Sequence, residues 1–173
     1  AAKHNLDKTM NLEYLCNDTF LAAHNNYCIG RYESSFNFFN HIVNKYPNTS
    51  RIPDAKFYLA LHYKDGNYVE KNDIKASDLF EQVAQSNSKY KDNANYHLAM
   101  YYAEKNGNKA FFLFNQVSQS DSEYKYDAKY ILAKFYETGR GGARKNYKKA
   151  FDIYFELSKS NSHLHADAKN CLA

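Results

Sequence analysis

Proline occurs twice and glycine six times in 173 residues, too few punctuating residues for the many tight turns of a β-sandwich or barrel. Cysteine is scarcer than a disulfide framework requires. Cys16, Cys28 and Cys171 are odd in number and share no metal-ligand spacing, which excludes the closed cross-linking of a small secreted domain. Free thiols in a reducing compartment such as the cytoplasm are expected, with the three side chains serving as small buried hydrophobes. No apolar run nears the roughly 20 residues of a membrane-spanning helix; AFFLF at 110–114 is among the longest. The opening AAKHNLDKTMNLEYL has no apolar signal-peptide core and begins with Ala, as an excised piece or a mature form would. A one-sided charge block is missing too. Lysine and arginine number 23 against 19 acids and are interspersed, so the formal charge of +4 builds no patch that would mark a nucleic-acid binder.

What is plentiful is aromatic: 17 Tyr and 12 Phe, within a chain that is 44% hydrophobic and long enough to bury a core. Together with the shortage of Gly and Pro, this predicts an all-α protein. The same decapeptide then recurs, as DAKFYLALHY at 54–63, NANYHLAMYY at 93–102 and DAKYILAKFY at 127–136. Its Ala falls at 55, 94 and 128, and a further copy, DAKNCLA, opens at Ala168. A second small residue follows each, at Ala76, Ala110 and Ala150. From 76 to 94, 110 to 128 and 150 to 168 the spacing is 18 residues every time, whereas the opening Ala residues lie 39, 34 and 40 apart. Constant spacing implies packed geometry and variable spacing a surface loop, so each unit has a rigid joint to the next and a tolerant loop inside it.

Both segments of a unit carry helical periodicity. Leu79, Phe80 and Val83, then Leu113, Phe114 and Val117, then Ile153, Tyr154 and Leu157 stand three, four and seven residues after the small residue, on one helix face. Asn72, Asn106 and Asn146 lie four before it, where an Asn side chain caps the first turn. Ser88, Ser122 and Ser162 are placed to cap the helices that follow. A degenerate earlier unit shows Ser35, Phe38, Phe39 and Ile42 at the second-helix offsets, and residues 1–17 predict a preceding helix around Leu6, Met10 and Leu15. Helix pairs repeating every 34 to 40 residues predict an α-solenoid, because one pair cannot bury its apolar face alone and a stack can. The units expected are roughly 18–50, 51–88, 89–122 and 123–162, with a further helix starting at 163–173, in a single domain that reads as part of a longer chain.

The stretch AKYILAKFYETGRGGARKNYKKAFDIYFELSKS resembles a Sel-one-like repeat, through Ala128, Tyr130, Leu132, Ala133, Tyr136, Gly139, Gly141, Lys149 and Ala150. The unit at 55–84 matches through Ala55, Phe57, Leu59, Ala60, Tyr63, Gly66, Val69, Asp73, Lys75 and Ala76. The units at about 20–46 and 94–118, with shorter inter-helix loops, look more like plain tetratricopeptide repeats. The resemblance implies an all-α, right-handed α-α superhelix of antiparallel helix pairs. It also implies a non-catalytic adaptor for protein–protein contacts, of the kind found in signalling, in endoplasmic-reticulum quality control and in bacterial proteins acting on host cells. A departure is the Ala that stands in all three clear copies where such repeats usually have Gly; it preserves packing.

Residues that could carry chemistry do not converge. Seven His are scattered, and HLH at 163–165 lacks neighbouring Cys or acidic ligands, so a metal site is not expected. GRGGARKNYKK at 139–149 has neither the glycine spacing nor the preceding strand of a phosphate-binding loop, and the repeat places it between the two helices of a unit. No cofactor is expected. Three and seven residues after each opening Ala the repeat leaves the residue type free: Tyr58 and His62, His97 and Tyr101, Ile131 and Phe135. In related solenoids the first helices line the concave surface, so these columns are the candidate partner-binding residues for another protein or a peptide, with inter-repeat packing as their alternative reading. The expectation is a soluble monomer. A nucleic-acid-binding solenoid using loop Lys and Arg, or a regulatory region of a larger enzyme, stays open as an alternative.

Overall fold

The computed structural model describes residues 2–172, with side chains from Met10 onward. Among the described residues the secondary structure is helical, with no strand. The helices are α1 (Ala2–Cys28), α2 (Tyr32–Lys45), α3 (Ile52–Asp65), α4 (Asp73–Ala84), α5 (Lys91–Tyr102), α6 (Gly107–Ser118), α7 (Lys125–Thr138), α8 (Tyr147–Lys159) and α9 (His165–Leu172). The all-α repeat solenoid expected from the periodicity is therefore the architecture found. The chain divides into two compact units, Ala1–Lys91 and Asp92–Ala173.

Within each unit the repeat positions do what their spacing implies. The opening Ala55, Ala94, Ala128 and Ala168 are fully buried, and Ala76, Ala110 and Ala150 nearly so, which lets helix backbones approach while larger side chains fill the space between them. Phe80 and Val83 in the first unit, and Phe114, Val117, Tyr154 and Leu157 in the second, form the buried faces of the second helices. Each of those helices starts where its Asn predicts: the side-chain oxygens of Asn72, Asn106 and Asn146 accept from the amides of Lys75, Lys109 and Lys149 at 2.9, 3.1 and 2.9 Å.

The rigid joint between repeats is a serine turn. Ser88 Oγ accepts from the Tyr90 amide, and Ser122 Oγ from the Tyr124 amide, so both serines act one step before their helices begin. Both also reach back to the preceding first helix. Ser88 donates to Asp54 and Ser122 hydrogen-bonds Asn93 Oδ1, and in each case the partner is the residue just before the opening Ala. The tolerant loop is held differently. Gly139 and Gly141 adopt φ of 73° and 65°, and a side chain on Gly107 would sit 2.7 Å from Gly141 Cα, so the 139–146 loop lies backbone-to-backbone on the first turn of α6.

At the N-terminus the separate helix expected over residues 1–17 is instead the first part of α1, which runs unbroken to Cys28. No Gly or Pro interrupts residues 2–28, so nothing in the backbone stops the helix. Met10 and Leu15 are exposed, and the Leu6 side chain lies outside the described residues. In the first unit α1 is tied down by Arg51. Its guanidinium bonds Asn17 Oδ1 at 2.6 Å, lies 4.9 Å over the Phe20 ring and pairs with Asp54 at 3.0 Å.

Candidate protein-interaction surface

Tyr58 and His62 lie on α3 of the first unit, and their side chains are interior. Tyr58 stacks flat on Phe39 of α2, with ring centroids 4.8 Å apart, and receives the ring edges of Phe20, His24 and Tyr27. Its hydroxyl pairs with that of Tyr90 at 3.0 Å, and burial pushes the phenol pKa far up. His62 is fully buried. Its Nδ1–H donates to the Asn67 carbonyl at 2.8 Å, which leaves Nε2 to accept from Ser35 Oγ at 3.1 Å. Burial lowers the imidazole pKa. A serine hydroxyl held against a tautomer-locked histidine has the connectivity of a nucleophile and its base. Here both residues have no exposed surface and the rings of Tyr27, Tyr32 and Phe36 close around the imidazole, so no substrate reaches them. The expectation that Tyr58 and His62 offer surface to a partner is thus corrected: α2 covers that side of α3.

The four candidates of the second unit keep part of their surface. On α5, His97 lies between Tyr96 and Tyr124, and Tyr101 meets Tyr102 edge-on at 5.1 Å beneath the Lys105 ammonium, 4.2 Å from its ring. On α7, Ile131 is half-buried, and Phe135 rests on Phe111 and Phe114 of α6. A recess of about 290 Å³ in this unit lies between α6, α7 and α8, bounded by Lys129, Leu132, Tyr136, Lys149, Asp152 and Glu156 among others. An ion pair between Lys129 and Glu156 crosses it.

One recurring feature was missed at the sequence level. The Lys before each second small residue lies over the Tyr in the last turn of the first helix: Lys75 over Tyr63, Lys109 over Tyr102 and Lys149 over Tyr136, at 5.2, 3.9 and 5.1 Å. Each such contact is worth about 0.5–1 kcal/mol at an exposed site. The signal was present, since Lys precedes all three alanines and Tyr stands eight residues after every opening Ala in the clear copies.

The cysteines divide. Cys16 is buried, with Sγ 3.2 Å from Thr49 Oγ1 and its pKa raised by burial, whereas Cys28 and Cys171 are exposed, which corrects the expectation that all three are buried. His163 Nε2 lies 3.1 Å from Asp127, and among the described residues no three His, Cys, Asp or Glu side chains cluster as metal ligands. No described helix is long and apolar enough to cross a membrane.

The sequence model of the Sel1 repeat matches residues 53–88, 92–120 and 127–161, more than half of the chain. The chain belongs to the Sel1 repeat family. Its helices superpose with a TM-score of 0.66 on the crystal structure of a Sel1 repeat protein from Oxalobacter formigenes, at 21% identity. That likeness covers 86% of this chain and 59% of the Oxalobacter protein, and it shows the shared fold. No curated protein matches the sequence. Sel1 repeats generally mediate protein–protein contacts, typically as non-catalytic scaffolds.

Proposed function

We propose that this Sel1 repeat chain is a non-catalytic adaptor that holds another protein, or an extended peptide, against its first helices. The contacts are assigned to His97 and Tyr101 of α5 and to Ile131 and Phe135 of α7. The observation that supports this reading is their partial exposure: His97, Tyr101 and Phe135 rest against neighbouring rings, and all four side chains keep part of their surface. A ring fixed in this way has few rotors left to freeze, so a partner loses little ordering entropy on docking. Tyr58 and His62 contribute indirectly, by holding α3 on α2.

The test is a pull-down of partners on the immobilised chain, with mass-spectrometric identification, repeated with Tyr101→Ala and Phe135→Ala. The identified partner's affinity should fall at least tenfold for Tyr101→Ala with little change in melting temperature. Unchanged affinity with a large fall in melting temperature would assign both rings to packing alone. Retention that collapses with salt and nuclease treatment would point to nucleic acid instead.

A further inference from the structure

In the second unit α6 and α8 both pack chiefly on α7, so the recess of about 290 Å³ between them is a cleft with the first helix as its base. Leu132 and Ile153 give it an apolar floor, and three hydrogen-bond donors stand around that floor. Lys149 lies over the Tyr136 ring and, among the described residues, is in no ion pair: Asp152 is engaged by Lys148 and Glu156 by Lys129. The Tyr136 hydroxyl has no hydrogen-bond partner among the described residues either. Asn115 Oδ1 accepts from Gln119 at 3.5 Å, which leaves the hydrogens on Nδ2 without an acceptor there.

The same three donors recur in the first unit, where α2 and α4 both pack on α3. Asn40 stands five residues after Ser35, as Asn115 stands five after Ala110, and its Oδ1 accepts from Asn44 at 3.2 Å. Lys75 lies over Tyr63 as Lys149 lies over Tyr136, again with no ion pair for the lysine and no bond to the phenol among the described residues. Packing does not call for the amide. Asn40 and Asn115 are exposed, and the repeat itself does not fix the position, since α4 carries Glu81 there.

Ammonium, amide and phenol all donate, so what the cleft lacks is an acceptor. Asp152 and Glu156 on its rim repel a dianion such as phosphate more than a single carboxylate, and the leucine and isoleucine floor suits the methylenes of an acidic side chain. The mouth is open, because Asn115, Lys149, Asp152 and Glu156 are all exposed, whereas a small-molecule site encloses most of its ligand. We propose that the cleft between α6 and α8 binds the carboxylate of an acidic side chain on a partner peptide, through Lys149, Asn115 and Tyr136. This site is separate from the first-helix contacts of the proposed adaptor function and does not rest on them.

The experiment titrates the full nitrogen-15-labelled chain with two capped dipeptides, acetyl-Glu-Leu-amide and its neutral twin acetyl-Gln-Leu-amide. Binding is read by NMR from the backbone amides of Lys149 and Asp152 and the side-chain amide of Asn115. The glutamyl probe should saturate and bind about threefold tighter or more at 0.1 M salt, the scale of one solvent-exposed ion pair. Lys149→Gln should erase that difference and Tyr136→Phe should narrow it, with the circular-dichroism melt in place for both. Tyr101→Ala should leave it unchanged. Should a variant unfold, the comparison of the two probes on the unsubstituted chain decides alone. Equal affinity for the probes, no saturable shift, or a difference that survives Lys149→Gln would overturn the inference. So would tighter binding of glutarate, which would give the cleft to a free organic acid, or of inorganic phosphate, which would make it a phosphate site.

Discussion

Truncating Tyr58 separates packing from partner contact most sharply. Its ring is 7% exposed, lies flat on Phe39 and is ringed by Phe20, His24, Tyr27, Phe57 and Tyr90. Tyr58→Phe removes only the hydroxyl, whose partner on Tyr90 is part-buried and can turn to water, so the loss should be about 0.5–1.5 kcal/mol. Tyr58→Ala also removes the ring and leaves a cavity that Phe39 and Phe57, themselves fixed on α2 and α3, cannot collapse into; the loss should be about 3–5 kcal/mol. The two values should differ by about 2–4 kcal/mol in urea unfolding followed by far-ultraviolet circular dichroism, at an unchanged m-value. A Tyr58→Ala loss below about 1 kcal/mol would refute the reasoning, because the ring would then not be interior, and α3 would regain its place among the partner-facing helices.

Acid should weaken the first unit through His62. Its folded pKa lies below the ordinary value near 6.5, so the unfolded chain takes up the proton first; stability is full above pH 6.5 and falls as the pH drops toward the folded value, by at most about 1.4 kcal/mol per pH unit. Urea midpoints at pH 7.5 and 5 should show this fall, and His62→Gln should flatten it. Asn106→Ala should cost about 0.5–2 kcal/mol by removing the cap on the Lys109 amide, whereas Asn106→Asp should be close to neutral in the same assay. Gly107→Ala should destabilise by about 1–3 kcal/mol, because the new methyl meets Gly141 Cα. A gain in melting temperature, the usual result of replacing a helical glycine, would show that the 139–146 loop does not press on α6.

The parts of the fold that were legible in the sequence are those written by local rules. Asn72, Asn106 and Asn146 announced their helix starts because a cap needs only a side chain and an amide three residues on. The opening alanines announced the stacking positions because their spacing to the preceding small residue is constant. What was hidden depends on what another helix covers. Tyr58 and Tyr101 share the +3/+7 columns, yet Tyr58 is sealed by Phe39 and Tyr101 keeps an open side, and neither outcome is encoded within the residue's own helix. The Ser35–His62 bond joins residues 27 apart, beyond any local signal.

The serine turn bonded back to Asp54 or Asn93 has a consequence for how such an array can grow. In the copies at 51–88 and 89–122 both halves of the fastener, an Asx on the leading edge and a serine at the trailing one, belong to the same copy, so each carries its own stitch; in the third, His163 takes the serine's place on Asp127. A duplication cut between Tyr90 and Asn93 falls between one stitch and the next and leaves both whole. A cut inside the 66–71 or 139–146 segments parts an Asx from its partner in the sequence, and lineages or designers lengthening this protein have reason to avoid it.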